Sequence, residues 1–388
     1  MKGIVLRLLA AAMLAASVTP SPGFAAVTTQ SDVKRSVDAV IGPLMQKDGI
    51  HGMAVGIIAA GKSYVFDYGV ASIETRRPVT DDTLFELGSI SKTLTATLAS
   101  YAEVSGDLSL SDTTSKYMPA LAGTKFGEVG LVNLGTHTPG GVPLQVPDEI
   151  KSEADLIAYL KAWRPNFPHG IYRTYSNLGI GLLGEITATT MGGDFKSLMQ
   201  RRLFPSLGMK QTFIDVPKAR TADYAQGYKK QGAPVRMKPG VLSAQAYGVK
   251  TTAADMLRFV QANMNLVELD DKWQRAVART HTGYFQAGPM TQDLIWEQYA
   301  YPVTLSALLE GNSADMILHP TPVSRLSPPQ APRQDVWINK TGSTNGFGAY
   351  VAFIPKKQIG IVMLANKNFP IDERVRAAYE ILSALAAQ

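Results

Sequence analysis

Val33, Val37, Val40, Ile41 and Leu44 recur at helical spacing within Ser31–Lys47, and with Ser31 as N-cap they predict an amphipathic helix. Between Gly52 and Ser72 the pattern changes to strand-like runs, MAVGII and YVFDYGVAS, on either side of Ala60-Gly61-Lys62, which predicts a β-hairpin. The far end mirrors this. Ala349–Ile354 and Ile359–Ala365 flank Pro355-Lys356-Lys357-Gln358, and a helical pattern follows from Asp372 to Ala386. The arrangement that unites the two ends is one antiparallel sheet covered on one face by the two terminal helices, with the middle of the chain inserted. Inside the insertion, Ile90, Leu94, Leu98 and Tyr101 predict a helix over Ser89–Val104, with Gly106 just past its end. Further helices are expected over Glu153–Trp163, Leu178–Thr189, Phe195–Leu203 and Ala253–Met264, joined by connectors such as Pro139–Pro147 and Pro320–Pro332. The sequence contains no internal repeat. The fold class is α+β, with residues 27–86 and 230–388 expected to form an α/β lobe and 87–229 a mostly helical lobe.

Composition narrows the class. The 388 residues are 45% hydrophobic and 18% charged, with 34 Gly, 23 Pro and no Cys, which excludes a disordered chain, a collagen repeat and a disulfide scaffold. This length favours two lobes over a single oversized core. Lys2 and Arg7 lead into the apolar run Leu8–Val18, and Pro20 and Pro22 precede Ala25-Ala26, so residues 1–26 are expected to be a secretory signal. That run is shorter than the ~20 residues a membrane span needs, and no stable membrane insertion is expected. Export of a cysteine-free chain suits a periplasm. The formal charge of +6 includes two cations in the leader, leaving +4 on the rest, with basic residues scattered rather than blocked. This argues against a nucleic-acid partner and suggests at most an attraction for small anionic substrates.

Two motif matches fail on context. Gly56–Ser63 (GIIAAGKS) fits the phosphate-loop pattern, but strand formers surround it and a strand follows it, where that chemistry needs a helix. Asn339-Lys340-Thr341 fits a glycosylation acceptor, but two of its residues belong to a stronger motif described below. The five histidines, His51, His137, His169, His281 and His319, have no ligand spacing, so neither a metal nor a cofactor is expected and each is read as a packing or surface residue. No G-x-S-x-G elbow occurs.

A different set carries chemistry. Ser89-Ile90-Ser91-Lys92 is an S-x-x-K element that places a hydroxyl and an ammonium one turn apart. Ser31–Lys34 matches the same pattern but is explained as a helix start. Tyr175-Ser176-Asn177 is the only Y-x-N in the chain, and Lys340-Thr341-Gly342 the only K-T-G. A serine hydroxyl needs a base to become a nucleophile, and lysine serves only when its pKa falls. A phenol beside two ammonium groups gains acidity. Lys92 and Lys340 converging on Tyr175 would supply a base near neutral pH without histidine.

With FELGSISKTLTATL, YRTYSNLGIGLLG, VPLQVPDE, KPGVLSAQAYGVKTT, NKTGSTNGFGAYVAFIP and IVMLANKNFP, the chain resembles class C serine β-lactamases of the penicillin-recognising superfamily over nearly its whole length. The resemblance implies a β-lactamase/DD-peptidase-like fold with the site between the lobes, and hydrolysis of penicillins and cephalosporins by a periplasmic monomer. It implies Ser89 as nucleophile, with Lys92, Tyr175 and Lys340 as its partners. Backbone N–H groups of Ser89 and Ser343 correspond to the oxyanion hole. Gln145, Asn177, Tyr247, Thr341, Gly342 and Asn368 correspond to substrate contacts. The chain departs from the family pattern at Ile371 and Asn345, and also at Ser243 and Asn339. D-alanyl-D-alanine carboxypeptidases and related esterases share the serine, lysine and tyrosine, although the esterases usually lack an intact K-T-G. A penicillin sensor would need a membrane relay. No E-x-x-L-N element is present to provide a second base for deacylation.

Overall fold

A computed structural model describes residues 29–387; the expected leader lies outside the described residues. Strands β1 (Gly52–Ala59), β2 (Lys62–Gly69), β3 (Gly283–Ala287), β4 (Met290–Gln292), β5 (Glu297–Ala300), β6 (Ser324–Gln330), β7 (Val336–Ser343), β8 (Gly348–Ile354) and β9 (Ile359–Ala365) form one sheet. Its order is β6-β3-β4-β5-β7-β8-β9-β1-β2, and every pairing is antiparallel. The two ends of the chain join where β1 pairs with β9, with Val55 opposite Met363, as the sequence pattern predicts. The β1–β2 turn lies at Ala60-Gly61, both with positive φ, which places the GIIAAGKS match in a hairpin.

The main helices are α1 (Gln30–Asp48), α2 (Ser91–Ser105), α3 (Asn177–Thr190), α4 (Ala253–Asn263), α5 (Asp271–Arg279) and α6 (Ile371–Ala386). Val33, Val37 and Ile41 of α1 and Val375, Ile381 and Leu382 of α6 bury against Val55, Ile57, Ile361 and Met363 on one sheet face. The opposite face is covered as well. Ala54, Ile58, Val362 and Leu364 pack against Met256, Leu257 and Val260 of α4 and Leu94 and Leu98 of α2. Buried on both faces, β1, β8 and β9 are continuous apolar runs.

Four local expectations are corrected. The cap of α1 is Thr29, not Ser31: Thr29 Oγ1 accepts the Asp32 N–H and Asp32 Oδ2 accepts the Thr29 N–H, each at 3.2 Å. The helix expected over Phe195–Leu203 is present but not uniformly α: an α-turn, Phe195–Leu198, passes into a π-turn, Met199–Leu203, and then a short α-turn, Phe204–Ser206. Pro205 has no N–H to continue the α-helical ladder there. The Pro320–Pro332 connector contains the strand β6, whose largely exposed residues and Pro328-Pro329 fit a sheet edge and carry no apolar alternation. The reading of the middle as insertion misses β3, β4 and β5, strands of five, three and four residues, and also α5.

Helix α2 lies between two cores. Leu94 and Leu98 enter the core below the sheet, while Ala96 and Ala99 pack with Leu178, Leu182 and Ile186 of α3. Every residue from Ser91 to Ala102 is buried. The end of β7 runs against the turn before this helix at backbone distance. A Cβ on Gly88 (φ +53°) would stand 2.4 Å from the Ser343 N, and one on Gly342 would stand 2.0 Å from the Leu87 carbonyl oxygen. Only glycine permits this approach. Gly342→Ala is therefore expected to lower unfolding stability by about 1–3 kcal/mol, read from denaturant titration, because the Leu87 carbonyl oxygen it would meet is backbone and cannot turn aside.

Candidate active site

Ser89 sits in the 3-10 turn Gly88–Ile90, two residues before α2 begins, and Lys92 is in the first turn of α2. The Lys92 Nζ donates to the Ser89 Oγ at 2.8 Å and to the Ala246 carbonyl at 2.8 Å. The lysine is fully buried. Burial pushes its pKa down; Tyr175 opposes this, Lys340 adds to it, and the result is about 8.

Tyr175 stands beside both lysines, with the Lys92 Nζ and the Lys340 Nζ each 5.2 Å from its ring centroid. Burial pushes the phenol up, but Lys340 and then Lys92, with a contribution from the nearby Ser89 hydroxyl, bring it down to about 8. Arg173, whose guanidinium carbon lies 5.4 Å from the same ring, adds a third cation to the group. The following residues hold the phenol's chain segment. Ser176 caps α3 by accepting the Gly179 N–H at 3.0 Å, so the Tyr-Ser-Asn motif is a helix cap and part of the site at once.

These groups open onto a cavity of about 760 Å³ whose wall includes Ser89, Gln145, Tyr175, Asn177, Tyr247, Lys340, Thr341, Gly342, Ser343, Asn368 and Ile371. Lys92 lies behind Ser89, so the structure brings together every residue singled out from the sequence. The Asn177 Nδ2 donates to the Gln145 Oε1 at 2.8 Å, while its buried Oδ1 has no partner among the described residues. An acceptor in that state suits an incoming amide N–H. Of the departures, Asn345 and Ile371 line the cavity. Ser243 Oγ accepts the Gly240 N–H at 2.9 Å, and Asn339 is buried among Glu297, Asn312 and Tyr350.

The beta-lactamase family model matches residues 37–386. A beta-lactamase of Pseudomonas fluorescens is 50% identical over 355 residues, covering 92% of this chain and 99% of that relative. The chain belongs to the beta-lactamase family. A solved class C beta-lactamase in complex with cefoxitin is 51% identical, with a TM-score of 0.89 over 91% of this chain and 99% of its own. A solved D-alanine carboxypeptidase from Burkholderia cenocepacia is 58% identical, with a TM-score of 0.89 over 92% of this chain and 100% of its own. This β-lactamase is a class C member and a serine hydrolase.

Three charged residues of this β-lactamase site escape a reading by motif. The Glu297 Oε1 receives the Arg173 Nη2 at 3.1 Å and the Lys340 Nζ at 3.3 Å, and its Oε2 receives the Asn339 Nδ2 at 3.2 Å. Arg374, fully buried, donates to the Gly342 carbonyl at 2.7 Å, the Ser343 Oγ at 3.0 Å and the Asn368 Oδ1 at 2.7 Å. It thereby ties the end of β7 to the start of α6 and occupies the acceptor of Asn368, leaving that side chain's NH2 for the cavity. Burial, with no carboxylate partner among the described residues, pulls Arg374 down to about 9. None of the three has a local signature, because each is recognised only by partners distant in sequence. Lys229, Arg236 and Lys238 also line the cavity, and no carboxylate among the described residues lies within ion-pair distance of them. Together with Arg173 and Lys340 they outnumber Glu297, the one acidic residue of the wall among the described residues.

Glu297 raises the pKa values of both Tyr175 and Lys92. Its neutralisation should lower both, so in Glu297→Gln the acid limb of the kcat/KM profile is expected to move to lower pH. The same variant leaves Arg173 and Lys340 without their carboxylate and should destabilise the fold by about 3 kcal/mol. A pH–rate series combined with thermal unfolding checks both effects.

Proposed function

We propose that this class C β-lactamase hydrolyses the lactam amide of penicillins and cephalosporins through an acyl-enzyme on Ser89. The observation that carries the reading is the 2.8 Å contact from the Lys92 Nζ to the Ser89 Oγ, in a site where that ammonium and the Tyr175 phenol are both held at about 8. At neutral pH such a pair gives up and takes back protons readily. As the Ser89 Oγ attacks the lactam carbonyl, its proton passes to the Tyr175–Lys92 pair. The carbonyl oxygen takes up negative charge against the backbone N–H groups of Ser89 and Ser343. When the C–N bond breaks, the stored proton goes to the leaving nitrogen. Water then attacks the ester, giving a proton to the same pair, and Ser89 leaves with that proton restored. One base serves both half-reactions, in keeping with the lack of an E-x-x-L-N element.

Lys340 and Thr341 face the substrate carboxylate in this reading. Gln145 and Asn177 take its side-chain amide, Tyr247 forms a wall and Asn368 an edge contact. The excess of cations around the cavity draws in substrates that carry a carboxylate. The site would lie between an α/β lobe, residues 27–86 and 230–388, and a helical lobe, residues 87–229. The chain would act as a periplasmic monomer after loss of residues 1–26, without a metal or other cofactor.

A second reading is D-alanine carboxypeptidase activity on the same serine, which the 58% identical carboxypeptidase favours. Nitrocefin hydrolysis measured beside release of D-alanine from a D-Ala-D-Ala peptide separates the two. Ser89→Ala should abolish turnover and remove the penicillin adduct from the intact-mass spectrum; turnover well above background in that variant would end the assignment. Tyr175→Phe should slow acylation and deacylation each by at least about a hundredfold, as seen in stopped-flow traces and in a longer-lived adduct. A wild-type deacylation rate in that variant would mean a separate base.

Ile371, the first residue of α6, puts an apolar side chain on the cavity wall. Ile371→Asn is expected to tighten carboxylate-bearing inhibitors such as clavulanate by about tenfold, the yield of one partly exposed charged hydrogen bond. Nitrocefin turnover should change less. Inhibition constants measured alongside nitrocefin kinetics check the difference.

A further inference from the structure

His137 is buried and is not among the residues that line the cavity, yet it holds Tyr175 from three directions. Its carbonyl oxygen accepts the Thr174 N–H at 2.7 Å, its Nδ1 accepts the Ser176 N–H at 3.2 Å, and its ring packs on the Tyr175 ring at 4.3 Å with a 41° tilt. The backbone on both sides of the phenol is therefore fixed by one residue. That residue has a left-handed backbone, φ +60°, which histidine tolerates better than most side chains.

We infer that His137 is a positioning residue for the reaction, holding the Tyr175 hydroxyl against Ser89 through the lone pair of its Nδ1. This inference rests on the reading of Tyr175 as the proton carrier. Because Nδ1 accepts, the neutral ring carries its proton on Nε2, which is buried without a hydrogen-bond partner among the described residues. Protonating the ring would set an N–H on Nδ1 against the Ser176 N–H and push the segment apart. It would also add a cation beside Arg173, from the segment before Tyr175, Lys92 of α2 and Lys340 of β7. Glu297 is already engaged by Arg173 and Lys340. Burial, then Arg173, Lys92 and Lys340, hold the imidazole well below its ordinary range, so the acceptor persists throughout the working pH of the pair it supports. The field of Lys340 and Lys92 on the phenol falls off with distance. A displaced Tyr175 would therefore be less acidic as well as misplaced.

Two variants separate the lone pair from the ring. His137→Phe keeps an aromatic ring against Tyr175 and removes the acceptor. His137→Asn removes the ring, returns an acceptor on the same branch as Nδ1, and tolerates the left-handed backbone. In nitrocefin kinetics, His137→Phe should lower kcat/KM by on the order of tenfold and move the acid limb of its pH profile upward. His137→Asn should recover the wild-type limb and most of the rate. A wild-type limb and rate in His137→Phe, or an Asn variant as impaired as the Phe variant, overturns the inference. Tyr175→Phe measured in parallel keeps the two readings apart. If it turns over like the wild type, the role of Tyr175 fails. If it is inactive while His137→Phe is unaffected, only the role of His137 fails. Should His137→Phe not fold, nitrogen NMR of the wild-type imidazole still decides: Nε2–H with an accepting Nδ1 is required from about pH 5 to about pH 9, and protonation or the opposite tautomer within that range overturns the inference.

Discussion

The site depends on an excess of positive charge held away from water. Lys92, Lys340 and Arg173 surround the Tyr175 ring, and among the described residues Glu297 is the one carboxylate that pairs with any of them. In water this crowding would be screened; in a buried setting it is felt in full, and the phenol relieves it by losing its proton more readily. Burial alone would raise the Tyr175 pKa and leave it inert. The cations reverse the sign, while burial and Lys340 weaken the hold of Lys92 on its own proton. Two groups that exchange protons near neutral pH thus come from lysine and tyrosine rather than from histidine.

Such a field is useful only if the groups cannot move apart, and the fold secures this by putting each on a different rigid element. Lys92 is on the buried helix α2, Lys340 on an inner strand of the sheet, and Tyr175 just before the Ser176 cap of α3. The strand meets the turn before α2 where Gly88 and Gly342 let two backbones pass at distances no side chain would allow. Arg374 fixes the end of that strand by donating to the Gly342 carbonyl and the Ser343 hydroxyl, and it pairs with no carboxylate among the described residues. Unscreened burial of a guanidinium is costly, so the strand end is held by hydrogen bonds that only a strongly polar group makes.

Much of this was legible in the residues. The terminal hairpins and helices follow from strong periodicity, because a buried face leaves its period in the sequence, and β1 and β9 pair as those patterns require. The short strands β3, β4 and β5 and the exposed edge β6 were not legible, since a three-residue strand spans too few residues to show a period and an edge with Pro328-Pro329 has no apolar face. The cap of α1 was misplaced by two residues because serine is the stronger capping type; the capping-box partner Asp32, three residues after Thr29, decides for Thr29.

Within the site, the sequence alone pointed to the residues proposed to bear the chemistry, and the structure gathers them around one cavity. Ser89 with Lys92, Tyr175 with Asn177, and Lys340 with Thr341 and Gly342 are short motifs whose members lie one to three residues apart, so their spacing is visible along the chain. Only the tertiary structure decided what those residues are worth. Glu297 reaches Arg173 across 124 positions and Lys340 across 43, Arg374 reaches Gly342 across 32, and His137 reaches Ser176 across 39. Proton affinity depends on the distance between charges and on exclusion of water. Both are set by which distant segments pack together, and that information has no period and no motif.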